Sequence, residues 1–150
     1  MRIVAQRVSR ASVTIEGKLK SAIGLGMMIL LGIEDADTEE DVEWLCGKLA
    51  KLRIFADEND AMNLDISQVG GSFLVVSQFT LHAMTKKGNR LSFIRAARPE
   101  HAIPLYELFV KRLHEVSGRE VLTGEFGAMM DVELVNDGPV TIIIDSKNKE

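Results

Sequence analysis

Apolar and polar positions divide the start of the chain into strands. Ile3 to Ile15 alternates enough to predict a strand, and Glu16-Gly17-Lys18 predicts a tight turn into a second strand, Leu19–Ile23. Met27 to Ile33 is a continuous apolar run, which is typical of a buried central strand. The first 33 residues are therefore expected to be mainly β-structure.

Two later segments have apolar residues at helical spacing. Val42, Leu45, Leu49 and Leu52 follow an acidic first turn, which predicts a helix from about Thr38 to Lys51. Pro99 starts a second helix at a position that tolerates proline. The buried stripe expected on this second helix is Ala102, Leu105, Phe109 and Leu113, widened by Leu108 and Val116.

Further strands are predicted at Arg53–Ala56, Phe73–Ser77 and Val121–Thr123, and two more at Asp131–Val135 and Val140–Ile144. Strands outnumber helices and do not alternate with them regularly. This pattern favours an α+β fold in which two long helices accompany a mixed or antiparallel sheet. We expect one domain over residues 1–150, because the chain is of single-domain size and has no linker or repeat.

Composition narrows the class of protein. The 150 residues are 46% hydrophobic and 27% charged, which is typical of a soluble globular domain. The longest apolar run is too short to span a bilayer, and the first residues lack a signal-peptide pattern. The single cysteine, Cys46, cannot form an internal disulfide. We therefore expect a cytoplasmic protein with no membrane partner.

The charges are unevenly distributed. A net charge of −4 argues against broad, charge-driven nucleic-acid binding. Between His82 and Pro99, however, no acidic residue interrupts five cations, Lys86, Lys87, Arg90, Arg95 and Arg98. On charge alone a solvated loop is the favoured interpretation. The alternative is a rim that binds phosphates beside an active site.

Candidate chemistry begins where a buried strand ends, at Ser77-Gln78-Phe79-Thr80. Backbone N–H groups that leave a β-ladder are free to bind an oxyanion, although the hydroxyls could equally satisfy local backbone groups. Of the three histidines, only His82 is close in sequence to Thr80. No triad order or metal-ligand spacing is present, so a hydrolase would lack both, and we expect no metal and no cofactor.

A second candidate is Asn136-Asp137-Gly138-Pro139, between the last two predicted strands. These residues are turn formers, and an X-Pro bond can be cis. Neighbouring carbonyls of a cis turn could accept hydrogen bonds from an ammonium group. An ordinary hairpin turn is the favoured interpretation of this segment by itself.

Taken in order, the motifs of the whole chain resemble those of the D-aminoacyl-tRNA deacylases. The chain opens Met1-Arg2-Ile3-Val4-Ala5-Gln6-Arg7-Val8, and its middle contains Leu52-Arg53-Ile54-Phe55 and Met62-Asn63-Leu64. The later segments are Ser77-Gln78-Phe79-Thr80-Leu81, Arg95-Ala96-Ala97, Phe126-Gly127-Ala128 and Asn136-Asp137-Gly138-Pro139-Val140-Thr141. Each segment is weak evidence by itself, but the ordered set is specific.

The resemblance implies a homodimeric α+β fold, barrel-like in the dimer, with active sites at the subunit interface. It implies hydrolysis of the ester between a D-amino acid and the 3′-terminal ribose of tRNA, a chirality-proofreading step, with some action on glycyl-tRNA. The segment that holds the ester would be Ser77, Gln78, Phe79 and Thr80. The partner subunit's turn at Gly138 and Pro139, in the cis state, would capture the α-ammonium group. Phe126 and Met130 match positions near the terminal adenine, and Arg7 matches a position that steadies the proline turn.

Two mechanisms follow from this resemblance. Thr80 could act as a nucleophile, or backbone N–H groups near Phe79 and Thr80 could form an oxyanion hole while the tRNA 2′-OH helps to activate water. We favour the second, because no base is evident beside Thr80. Three departures from the family pattern are His82-Ala83-Met84 in place of Tyr-Ala-Asp, Leu91 in place of proline, and Met129 in place of an acidic residue.

Other functions stay open at this point. The first is a non-catalytic nucleic-acid-binding dimer of the same fold, which the basic segment would favour. The second is a deacylase of relaxed chirality with a trans Gly138-Pro139 bond. The third is a plain dimerisation module, which gives no reason for both motifs to be complete.

Overall fold

The computed structural model describes residues 1–150 and contains eight strands and two long helices. The strands are β1 (Arg2–Ile15), β2 (Lys18–Ile23), β3 (Gly26–Gly32), β4 (Phe55–Ala56), β5 (Met62–Leu64), β6 (Ser72–Ser77), β7 (Val121–Thr123) and β8 (Asp131–Asp145). The helices are α1 (Glu39–Lys51) and α2 (Pro99–Ser117), and a one-turn helix, Phe79–His82, follows β6.

Six strands form one mixed sheet. Its order is β2-β1-β3-β6-β7, and β8 pairs with the other edge of β1. β1 is antiparallel to β2, β3 and β8, whereas the β3–β6 and β6–β7 pairs are parallel. The sheet curls until it is nearly barrel-shaped, which confirms the prediction of a single α+β domain with a mixed sheet and two long helices.

Apolar side chains cover both faces of this sheet. On β3, Met27, Ile29 and Leu31 belong to the core beneath α1 and α2. Met28 belongs to a second cluster on the opposite face, where it packs with residues of β1 and β2 such as Val13 and Ile23. Because both faces are buried, β3 is a continuous apolar run instead of an alternating one.

The helices begin near the predicted positions. Thr38 precedes α1, and its N–H donates to Asp41 Oδ2 at 2.8 Å. α2 begins at Pro99 and ends at Ser117, and the Gly118 that follows has a φ of +67°. The expectation that Val116 widens the buried stripe of α2 is wrong, since this side chain is exposed in the last turn. Neither helix is long and apolar enough to cross a membrane.

A buried polar cluster lies where α1 begins. Ser146 Oγ donates to Asp41 Oδ1 at 2.6 Å, and Lys147 Nζ donates to Asp41 Oδ2 at 3.1 Å. Burial alone would raise the pKa of Asp41, but hydrogen bonds from Ser146, the Thr38 backbone and Lys147 hold that pKa at about 2. The charged Asp41 carboxylate therefore bonds Ser146 and Lys147, which follow β8, to the first turn of α1.

The predicted strand Arg53–Ala56 is shorter in the structure. Only Phe55–Ala56 is extended, and it pairs with Met62–Leu64 in a separate two-stranded sheet. The carbonyl of Ile54 accepts a hydrogen bond from Arg7 Nη1 at 2.7 Å. This carbonyl is therefore bound by a side chain of β1 rather than by a strand partner.

The prediction of two final strands joined by a hairpin turn is wrong. Residues Asp131–Asp145 form one strand, and both halves pair antiparallel with β1. Val8 lies opposite Asn136, and Gln6 lies opposite Thr141, so residues 137–140 stand opposite Arg7 alone. We call residues 137–140 the β8 bulge. The turn-forming residues accommodate extra chain within one strand instead of reversing its direction.

Candidate active site

The end of β6 leaves two backbone donors without partners in their own helix. Ser77 is the last paired residue of β6, and the N–H of Gln78 donates to the Leu31 carbonyl at 2.8 Å. The one-turn helix then begins with Phe79 and Thr80. Their N–H groups are its first two, so neither has a partner within it, and neither takes part in the surrounding turn and loop hydrogen bonds. Such donors can bind a developing negative charge.

The Thr80 hydroxyl is bonded within the same segment. Gln78 Nε2 donates to Thr80 Oγ1 at 2.5 Å. His101 lies against the Asp37 carbonyl and His114 against the Arg119 carbonyl, so these two histidines make backbone contacts instead. No histidine is hydrogen-bonded to Thr80.

His82 is not placed to act as a base for Thr80. Its side chain is fully buried, its Nδ1 is 3.6 Å from Glu34 Oε1, and neither ring nitrogen has a hydrogen-bond partner. The backbone is helical from Phe79 to His82, so residues 80 and 82 do not share a face as they would in a strand. Burial lowers the pKa of His82, and the nearby Glu34 carboxylate opposes this shift only in part.

The β8 bulge is held by Arg7 and Asn136. Arg7 Nε donates to the Asp137 carbonyl at 2.8 Å, and the same guanidinium bridges to Ile54. Asn136 Oδ1 accepts the Val140 N–H at 2.8 Å, which closes the bulge. Arg7 thus lies beside the proline turn, and its role in steadying that turn stays a prediction.

Only glycine fits at position 138. Gly138 has a φ of +146°, and a Cβ there would lie 2.8 Å from the Val140 nitrogen. The Gly138–Pro139 peptide bond is cis, the state that the resemblance implied. Both residues are exposed.

The bulge and the end of β6 lie far apart in one chain. Ser77 lies opposite Leu31, Leu31 opposite Ile3, and Ile3 opposite Ile144, so the strand end is three strand spacings from β8. The bulge, opposite Arg7, lies four residues farther along β1 than Ile3. With spacings of about 4.8 Å across and about 3.3 Å along the strands, the two segments are roughly 20 Å apart on the sheet.

Phe126 lies beside the strand end, whereas Met130 does not. A small cavity of about 20 Å³ is lined by Leu31, Ile33, Ser77, Phe79, Ala97, Ala102 and Phe126. The Phe126 ring also packs on Tyr106, with centroids 5.8 Å apart. Met130 instead packs against the apolar cluster on the other face of the sheet. The structure therefore brings Ser77, Phe79 and Phe126 together and leaves Met130 apart.

A larger groove lies elsewhere. Its volume is about 680 Å³, and it runs between α1 and β8, where Trp44 and Ile143 contribute to its walls. None of the predicted site residues lines it.

The basic segment is anchored at one end by a residue that the sequence analysis missed. Glu34 Oε2 accepts hydrogen bonds from Arg95 Nη2 at 2.7 Å and Nε at 3.0 Å. Glu34 directly follows a buried strand, but nothing in the sequence indicates that Arg95 is its partner. Among the departures from the family pattern, Leu91 and Met129 are exposed and His82 is buried.

Comparisons with known proteins agree on one family. The profile of the family described as D-Tyr-tRNA(Tyr) deacylase matches residues 4–145. Proteins named D-aminoacyl-tRNA deacylase from Bacteroides fragilis (strain YCH46) and Flavobacterium johnsoniae are 65% and 60% identical over 150 residues. Each alignment covers the whole of both chains.

Two solved structures share the fold. The c-Myc DNA Unwinding Element Binding Protein has a TM-score of 0.90 and 40% identity, covering 97% of this chain and 98% of its own. A structure described as a probable eukaryotic D-amino acid tRNA deacylase has a TM-score of 0.83 at 17% identity, covering 95% of this chain and 97% of its own. The second likeness shows the fold alone.

Proposed function

This chain belongs to the D-Tyr-tRNA(Tyr) deacylase family, and we propose from that premise that the end of β6 and the β8 bulge are the two halves of one esterase site. The reaction is hydrolysis of the ester between a D-amino acid and the 3′-terminal ribose of tRNA, a proofreading step in translation. The observation that carries the assignment of the catalytic half is the pair of N–H groups at Phe79 and Thr80, which have no partner in their own helix.

In the proposed mechanism these two N–H groups bind the carbonyl oxygen of the ester. Water attacks the carbonyl carbon, negative charge gathers on the oxygen between the two donors, and the bond to the 3′ oxygen then breaks. The tRNA 2′-OH helps to activate the water, and the departing 3′ oxygen takes up a proton. Ser77 and Gln78 position the ester, and the Gln78–Thr80 hydrogen bond holds the turn in shape.

The Gly138 and Pro139 carbonyls capture the α-ammonium group of the substrate. Main-chain acceptors tolerate many side chains, and they reject an L-residue when its side chain is forced into the backbone. Glycine has no side chain to reject, so we propose that glycyl-tRNA is also a substrate. Arg7 steadies this half through the Asp137 carbonyl.

A second subunit supplies the ammonium-binding half. The α-nitrogen of an aminoacyl ester is only two bonds from the carbonyl carbon, whereas the two segments of one chain are roughly 20 Å apart along the sheet. This separation along the sheet favours two segments of different subunits over two segments of one chain. We propose a homodimer, barrel-like where the subunits meet, in which each bulge reaches the strand end of the partner.

The rest of the tRNA end is bound near this site. Phe126 receives the terminal adenine in this proposal, at the mouth of the small cavity beside Ser77, whereas Met130, which packs on the other face of the sheet, takes no part in one subunit's site. The exposed cations Lys86 and Lys87 form a rim for phosphates. We propose that residues 1–150 work as one deacylase domain in the cytoplasm, where aminoacyl-tRNA is consumed.

A chirality-resolved assay tests the function. We expect D-Tyr-tRNA to be hydrolysed and L-Tyr-tRNA to be spared. A D-Tyr-tRNA ending in 2′-deoxyadenosine should react at least 100-fold more slowly, while Thr80→Ala should cost about tenfold or less because the backbone donors remain. Complete loss in Thr80→Ala, together with an acyl-Thr80 adduct trapped in the wild type, would make Thr80 the nucleophile.

Subunit mixing tests the shared site. Phe79→Pro removes one proposed donor at a helix position that tolerates proline, and Gly138→Ala disrupts the bulge. Each variant alone should be nearly inactive. After unfolding and refolding an equal mixture, half of the dimers should carry one intact site, which restores about a quarter of wild-type activity. An inactive mixture containing heterodimers would place both halves of the site in one chain.

A competing function is nucleic-acid binding without catalysis. The relative that is 40% identical is named for binding a DNA unwinding element, and the basic segment fits such a role. This alternative gives no reason for two N–H groups without partners in their own helix at the end of β6. It would replace our proposal if the dimer bound nucleic acid and released no amino acid from D-Tyr-tRNA.

A further inference from the structure

An aromatic pair lies on the outer side of the proposed catalytic turn. Phe79 is 53% exposed although it begins the turn that carries Thr80. Phe93 packs against it, with ring centroids 5.0 Å apart and planes at 72°. Such an edge-to-face contact keeps the rings in place and leaves part of the Phe79 ring open. Neither ring belongs to the two apolar clusters of the fold.

Cations adjoin this pair. Met84 and Ser92 exchange two backbone hydrogen bonds of 2.7 Å and 3.1 Å, which close residues 85–91 into a loop directly before Phe93. This loop carries Lys86, Lys87 and Arg90, all exposed, and contains no acidic residue. On the other side of Phe93, Arg95 is fixed to Glu34. Along the chain, Phe93 thus lies between the basic loop and Arg95, which is anchored to Glu34.

We propose that Phe79 and Phe93 form a stacking platform for the base of the nucleotide that precedes the terminal adenosine, with its phosphate against the basic loop. The proposal rests on the function proposed above. An exposed aromatic face beside free cations matches the chemistry of single-stranded RNA, in which a base stacks while phosphates bind positive charge. Stacking on a phenyl ring does not discriminate between bases, so the platform would lengthen the contact with tRNA without selecting a sequence.

The position of the pair decides which nucleotide it binds. One side of Phe79 lines the small cavity that also contains Phe126, where the terminal adenine is proposed to lie. Phe79 packs on Phe93, which follows the basic loop in the chain, so the aromatic pair extends from that cavity towards the loop. We therefore assign the pair to the base next to the terminal adenine, whose phosphate would meet the cations of the loop.

Substrates of different length test the platform. The three probes are D-tyrosyl-adenosine, the D-tyrosyl ester of the trinucleotide CCA, and D-Tyr-tRNA. In Phe93→Leu we expect the ratio of kcat/KM on the CCA ester to that on D-tyrosyl-adenosine to fall about tenfold, mainly through KM. Phe93→Tyr, which keeps the ring, should preserve the ratio. Ile94→Ala removes a neighbouring side chain that is 79% exposed and serves as the matched control.

The outcomes separate this inference from the proposed function. An equal loss on all three probes would mean that Phe93 only supports the fold, and no loss on any probe would mean that no base stacks there. A weaker dimer in Phe93→Leu, measured by sedimentation and without length dependence, would assign the aromatic pair to the subunit interface. Each of these results overturns the platform while wild-type deacylation stands. If the wild type hydrolyses none of the probes, the proposed function itself fails.

Discussion

Gly32 lies where β3 passes beneath the turn that carries Thr80. A Cβ at this position would be 3.0 Å from Leu81 Cβ, 3.1 Å from the Gln78 carbonyl oxygen and 3.1 Å from His82 Cδ2. The φ of Gly32 is outside the left-handed region, so alanine adds no backbone strain there. The effect of Gly32→Ala is therefore steric, and it falls on the segment that carries the proposed oxyanion donors.

The size of the effect follows from these distances. Ordinary contacts of a Cβ begin near 3.4 Å, so the turn must move by a few tenths of an ångström. The Gln78 oxygen is backbone and cannot rotate away, which means that the whole turn shifts. A displacement of 1 Å in a catalytic constellation can cost about 100-fold, so a shift of about 0.3 to 0.4 Å should lower kcat about fivefold. Overpacking should also lower the free energy of unfolding by about 1 to 3 kcal/mol.

Steady-state kinetics on D-Tyr-tRNA measures this change. We expect kcat to fall while KM stays within twofold, since the donors act most strongly on the charge that develops during reaction. The matched control is Gly24→Ala, because a Cβ at Gly24 has no neighbour within 4 Å. The reasoning is refuted if folded Gly32→Ala keeps its kcat, or if Gly24→Ala loses as much.

Three further predictions concern buried groups. Lysine cannot bridge the Asp137 and Ile54 carbonyls as Arg7 does. Arg7→Lys should therefore lower the free energy of unfolding by about 2 kcal/mol, measured by chemical denaturation, and raise KM for D-Tyr-tRNA, measured by steady-state kinetics. The pKa of Asp41 is lowered to about 2. The ionised Asp41 therefore adds about 2 kcal/mol to the free energy of unfolding; this contribution is complete above pH 4 and is lost as the pH falls towards 2. The difference in unfolding free energy between the wild type and Asp41→Asn should shrink over that range, and a constant difference would contradict the assignment. Burial raises the pKa of Cys46 to about 12, so a thiol reagent at pH 8 should label this residue only after unfolding. Rapid labelling of the native protein would contradict this and show that the core opens easily.

Local patterns in the sequence predicted most of the elements. The apolar runs at Met27–Ile33 and Phe73–Ser77 predicted two buried strands, because a strand covered on both faces has no polar positions. Helical spacing and Pro99 predicted α1 and α2 to within a residue or so at their starts. The strand end at Ser77 also followed from the sequence, since the apolar run stops there.

Tertiary structure decided the features that depend on distant partners. Asn136 to Pro139 has the composition of a hairpin turn, but pairing with β1, more than a hundred residues earlier, makes it a bulge in one strand. His82 is the histidine closest in sequence to Thr80, but the helical turn buries it near Glu34 instead of placing it beside the Thr80 hydroxyl. The separation between the end of β6 and the bulge is a property of sheet order and register, which local patterns do not contain. The sequence by itself thus determined most of the elements, the family and the two candidate segments, while strand pairing set the separation of those segments along the sheet of one chain.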